Sequence, residues 1–112
     1  MKTLEKTALI QNEREAIEAT VGKLKREFPV DKVVLFGSKA RGDFDEHSDI
    51  DLLIITSSPL HWKDEKAIVE VLCLEYDVIF SPLFVSNSEL EGGLFGQSPI
   101  YQEILRDGAI AG

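Results

Sequence analysis

Two short apolar runs, Val33-Val34-Leu35-Phe36 and Ile50 to Ile55, constrain this chain more than any other feature. Both are rich in β-branched residues and both are short, so each reads as a buried strand. The first stops at Gly37, where the backbone can turn sharply, and the second follows a polar loop from Gly42 to Ser48.

Helices supply the cover. Asn12 followed three residues later by Glu15 predicts a capping box with Asn in place of the usual Ser or Thr. Ile17, Val21, Leu24 and Phe28 then line one face of a helix that Pro29 ends. Residues 1–11 either extend that helix or lie loose. After the breaker Ser57-Ser58-Pro59, helical spacing returns from about Trp62 to Cys73 through Ile68, Val69 and Leu72. Tyr76 to Phe80, with a continuation past Pro82 to Val85, reads as a third strand. Ser88 with Glu91 forms another capping box, and Gly92, Gly93 and Gly96 keep that helix brief. Ser98 and Pro99 start a last helix through Ile100, Ile104 and Leu105, closed by Gly108. The order predicts an α/β (α+β) fold, a small sheet with helices packed on it, in a single domain over residues 1–112.

Composition narrows the function. With 44% hydrophobic and 29% charged residues the chain can form a packed core. Its net charge of −8, from 20 acidic against 12 basic residues, disfavours a long nucleic acid, whose binding rests on Lys and Arg neutralising phosphates. The lone Cys73 reads as core filler. Met1 to Lys6 lacks a signal peptide's apolar stretch and no window approaches a membrane span of ~18 apolar residues, so a cytoplasmic location is expected.

The chemistry is concentrated in Ser48-Asp49-Ile50-Asp51-Leu52. Carboxylates two residues apart on a strand project from the same face, with Cα atoms roughly 6.5 Å apart, close enough to converge on divalent ions ~3.5–4 Å apart. Such a pair resists joint ionisation unless a cation is bound, and oxygen ligands favour a hard ion such as Mg²⁺, which takes one or two carboxylates with substrate phosphates. Phe36-Gly37-Ser38-Lys39-Ala40-Arg41-Gly42 runs from strand to turn to short helix. Gly37 allows close approach to a phosphate, Ser38 offers a hydroxyl, and the Arg41 fork suits a triphosphate. His47, Asp43, Asp45 and Glu46 read as an exposed acidic loop, His61-Trp62 as a packing anchor, and Tyr101 as core.

Gly37-Ser38, ten intervening residues and then Asp49-Ile50-Asp51, strengthened by Ala40-Arg41-Gly42 and Ser48, resemble the signature of the DNA-polymerase-β-like nucleotidyltransferases. The chain length and the ending from Ser98 to Gly108 resemble the minimal nucleotidyltransferases of prokaryotes, which are paired with a HEPN-domain protein. The resemblance spans roughly residues 15 to 108, with the strong motif confined to 36 to 53. It implies a polymerase-β-like fold, two Mg²⁺ ions and ATP as substrate. It also implies a third metal-binding carboxylate on a later strand that acts as general base. Asp77 is the natural match, with Glu75 its rival. The implied reaction moves AMP from ATP to a tyrosine hydroxyl of a HEPN toxin, making the chain an antitoxin. A chain this short has little room for an acceptor, which a partner would supply. Alternatives are an antitoxin that acts by contact alone and a transferase for small molecules such as aminoglycosides.

Overall fold

The computed structural model describes residues 1–43, 49–72 and 78–112, and a mixed five-stranded sheet organises them. The elements in chain order are β1 (Lys2–Thr3), α1 (Gln11–Glu27), β2 (Val30–Phe36), α2 (Ser38–Arg41), β3 (Ile50–Thr56), α3 (Trp62–Leu72), β4 (Phe80–Ser86), α4 (Asn87–Glu91), α5 (Pro99–Asp107) and β5 (Ala109–Ile110). Across the sheet they run β1-β5-β2-β3-β4. β2 lies antiparallel to β3 and to β5, while β3 with β4 and β1 with β5 are parallel. The β3–α3–β4 crossover explains the parallel pair, because parallel neighbours need a long connection.

Helices cover both faces. Ile50, Leu52 and Ile54 of β3 meet Ile17, Val21 and Leu24 of α1 and Ile68 and Leu72 of α3. Leu53 and Ile55 join Val34 of β2, Val85 of β4 and Ile104 of α5 in the opposite layer. Strand β3 is thus buried on both sides, and Asp51 is its one residue that escapes full burial. None of the helices among the described residues is long and apolar enough to cross a membrane.

The differences from the sequence reading are instructive. Helix α1 begins at Gln11, and Glu13, not Glu15, accepts the Ile10 N–H at 3.3 Å. The short helix α4 likewise starts two residues early, because Ser86 at the end of β4 caps it in a reciprocal box with Glu89. Strand β4 starts at Phe80 and runs through Pro82 to Ser86, so Val78 and Ile79 lie outside it. Proline is tolerated there because β4 is the sheet's edge. Trp62 is 63% exposed and anchors no core; the His61 ring instead caps α3, its Nδ1 accepting the Lys63 N–H at 3.2 Å. Ile104 carries the burial of α5, whereas Ile100 and Leu105 are exposed. Residues 1–10 form β1, a 3₁₀ turn at Leu4–Lys6 and an extended stretch, with Leu4 and Leu9 buried, and Gln11 already belongs to α1. Cys73, Asp45, Glu46 and His47 lie outside the described residues.

One ion pair ties α1 to the turn after β2. Lys39 Nζ lies 2.5 Å from Glu13 Oε2, with the two side chains only 4% and 10% exposed. Removing one member of a buried pair strands the other charge. Glu13→Gln is therefore expected to lower the unfolding free energy in urea by on the order of 3 kcal/mol. The joint replacement Glu13→Leu with Lys39→Met should recover most of that loss.

Candidate active site

The antiparallel register pairs Phe36 with Asp51, so the last residue of β2 sits beside the first carboxylate inside β3. Gly37 follows with φ +72°, a conformation that disfavours any side chain. Space forbids one too. A Cβ at Gly37 would lie 3.1 Å from Asp51 Cγ and closer still to Oδ2. The turn and the carboxylate are therefore in direct contact. Ser38 opens α2, whose fourth residue, Arg41, stays on the same side. Gly42, at φ +88°, ends that helix in the left-handed conformation.

Asp51 shares its face of β3 with Leu53 and Ile55, the residues that pack under α5. Asp49, two positions earlier, is exposed and projects to that side at the strand's mouth. The Asp51 pKa is raised above the ordinary 3.8, first by burial and then by the Asp49 charge, with Arg41 pulling it back down. Asp49 and Arg41 thus both act on Asp51. Arg41 Nε also meets Asp43 Oδ2 at 3.2 Å in an exposed pair of little energetic weight.

An open cleft continues from Gly37 and Arg41 along α5, past Ile100, Glu103 and Asp107. On the other side, Ser81 of β4 pairs in register with Asp51, and its hydroxyl donates to Asp49 Oδ2 at 3.0 Å. Neither Ser81 nor the α5 wall was foreseen. Strand alternation back from Val85 and Leu83 would have pointed to Ser81 once β4 was started at Phe80. Asp77 and its rival Glu75 lie outside the described residues, and β4 begins three positions after Asp77. Gly37, Arg41, Asp49 and Asp51 are brought together, with Ser38 next to Gly37.

No group of three or more His, Cys, Asp or Glu side chains among the described residues is arranged to hold a metal. Asp49 and Asp51 nonetheless fit Mg²⁺, since their like charges conflict and that ion takes one or two carboxylates, completing its shell with water and phosphate oxygens.

Fold and site together define a nucleotidyltransferase. The chain belongs to the nucleotidyltransferase domain family, whose model matches residues 17–98. Two relatives come from Methanocaldococcus jannaschii, both provisionally named protein adenylyltransferases. One is 33% identical over 101 residues, covering 88% of this chain and 97% of the relative. The other is 42% identical over 62 residues, covering 53% of this chain and 63% of the relative, less than two thirds of its length. A provisionally named nucleotidyltransferase from Sulfolobus solfataricus shares the fold at 18% identity, with a TM-score of 0.55 over 92% of this chain and 88% of that one. A chain of a toxin–antitoxin crystal structure with AMP-PNP shares it at 20% identity and a TM-score of 0.54, over 85% of this chain and 72% of that one.

The raised Asp51 pKa makes the site a liability to the fold. A folded carboxyl that holds its proton more tightly than the unfolded chain does contributes stability that is fully present below pH 3.8 and lost as pH rises through the folded value. In a chelator at neutral pH, Asp51→Asn is expected to melt above the parent, with the gap closing as pH falls below about 4. Gly37→Ala should leave the chain folded but displace Asp51, cutting activity at least as deeply as about 100-fold, comparable to losing a catalytic positioning contact; steady-state rates beside a melting curve separate the two effects.

Proposed function

We propose that this chain transfers AMP from ATP to a hydroxyl of a partner protein, in the cytoplasm, and that the partner is a HEPN-domain toxin modified on a tyrosine. The contact between the Gly37 turn and the Asp51 carboxylate carries the reading, because a triphosphate held by that turn lies against a pair of acidic side chains. The provisional name of the M. jannaschii relatives and the toxin–antitoxin setting of one structural neighbour support the acceptor class.

In this reaction the acceptor oxygen forms a bond to the α-phosphorus, the bond from that phosphorus to the bridging oxygen breaks, and pyrophosphate leaves. Gly37 admits the phosphate tail close to the backbone, Ser38 offers it a hydroxyl, and Arg41 offsets its charge through a planar donor fork. Asp49 and Asp51 would hold Mg²⁺, two ions by the family resemblance, with Asp77 as the third carboxylate. Mg²⁺, when bound, neutralises charge developing on the phosphoryl oxygens. Asp77 is assigned the role of accepting the acceptor's proton. The acidic chain, at −8, suits a protein acceptor better than a polyanion.

The test is incubation with α-labelled ATP, Mg²⁺ and the product of the adjacent gene. Label should stay on the partner, on tyrosine, and vanish with Asp49→Asn or Asp51→Asn; Asp77→Asn should cut it by at least about 100-fold, as expected for a lost general base. Transfer of γ-label in place of α-label would make the chain a kinase and end the proposal. Full neutralisation of the toxin by the Asp49→Asn, Asp51→Asn double variant would favour inhibition by contact.

A further inference from the structure

The hydrogen bond from Ser81 to Asp49 is a cross-strand contact between the site and an element outside the Gly-Ser to Asp-x-Asp segment. Three observations fix Ser81. The parallel register sets it opposite Asp51. Leu83 and Val85, two and four residues on, pack in the layer under α5, so Ser81 emerges on that same face, at its open end. The following residue is Pro82, whose ring restricts the preceding residue to extended backbone, and Ser81 is therefore held in the strand conformation more firmly than its place near the start of an edge strand would suggest.

Asp49 needs such a partner. It lies just before β3 and is exposed, so the ladder that holds Asp51 does not hold it directly. A carboxylate in that setting samples several rotamers, and two carboxylates must agree in orientation to share a cation. The Ser81 hydroxyl, 3.0 Å from Oδ2, selects one orientation without adding a negative charge to a pair already in mutual conflict.

Resting on the transfer reading above, we infer that Ser81 is a positioning residue: it fixes one oxygen of Asp49, and with it the plane of the carboxylate that would bind the divalent cation. Hydrogen-bond partners of metal ligands commonly govern affinity or rate by about 10–100-fold. Ser81 makes no bond to the substrate or the cation in this account, and its effect passes through Asp49.

The experiment compares the parent chain with Ser81→Ala and Ser81→Thr in two assays. Mn²⁺ titration in the presence of a non-hydrolysable ATP analogue, read by the electron paramagnetic resonance of free Mn²⁺, reports affinity without turnover. Rates of AMP transfer at graded Mg²⁺ report the metal requirement. Ser81→Ala should keep the parent's melting temperature, weaken Mn²⁺ binding by roughly 10–100-fold and shift the Mg²⁺ requirement upward by a similar factor. Ser81→Thr keeps the hydroxyl and should restore both. Parent-like Mn²⁺ affinity in Ser81→Ala overturns the inference, as does equal impairment of the Ala and Thr variants, which would indicate packing. If the parent binds Mn²⁺ but transfers no AMP to any partner, the transfer reading fails, and the titration alone still decides the role of Ser81.

Discussion

The pairing of Phe36 with Asp51 is the constraint on which the site depends. It places the Gly37 turn against the Asp51 carboxylate at a distance that leaves no room for a Cβ. The Gly37 turn and Asp51 lie fourteen residues apart in sequence, and here they form one contact between adjacent strands. A slip of one residue would turn Asp51 into the layer under α1 and α3 and bring Leu52 to the cleft. The slip is excluded by burial, because Ile50, Leu52 and Ile54 on one side and Leu53 and Ile55 on the other each fit a helix layer that is already filled. The core therefore sets the register, and the register assembles the site.

That arrangement explains why β3 tolerates a carboxylate at all. Six of its seven residues are buried, and Asp51 sits where the α5 layer stops covering the sheet. Burial and the Asp49 charge both work against its ionised form, with only partial relief from Arg41. A cation bound there would reverse the sign of this balance and so couple ligand binding to stability at one side chain. The Glu13–Lys39 pair serves a different end. It is buried and joins α2 to α1, while Arg41 lines the cleft.

Much of this was legible in the sequence, for identifiable reasons. Strands β2 and β3 and helices α1, α3 and α5 announce themselves through strong periodicity, Pro29, and the Ser98-Pro99 start. Gly37, Arg41, Asp49 and Asp51 are close in sequence and fall on one strand–turn–strand unit, so local spacing sufficed to group them. Ser81 was missed because its role depends on the parallel register of β4 against β3, a long-range fact that local spacing does not carry. The two cap assignments failed by two residues for a related reason. At α1 the cap is Ile10, which has no side-chain acceptor to signal it, and Glu13 is held by Lys39; at α4 the pattern Ser86-x-x-Glu89 competes with Ser88-x-x-Glu91, and the end of β4 selects the first. Strands β1 and β5, of two residues each, carry no periodic signal at all.

Those two strands resolve what the first eleven residues do. Helix α2 has four residues, too few to be stable in isolation. Its shape must be imposed from outside, and two contacts among the described residues contribute, beside the burial of Ala40 in the core. Lys39 is tied to Glu13 at the start of α1. At the helix's other end, Lys2 donates its ammonium to the Ala40 carbonyl, where a cation complements the exposed acceptors and the dipole. Lys2 can reach Ala40 because β1 pairs with β5, which pairs with β2, the strand that leads into α2. Leu4 and Leu9, both buried, hold the intervening segment down. The Gly37 turn is thus shaped by its own glycine and braced by residues far outside the motif. Its geometry is a property of the folded domain, and the motif by itself specifies only which atoms are presented.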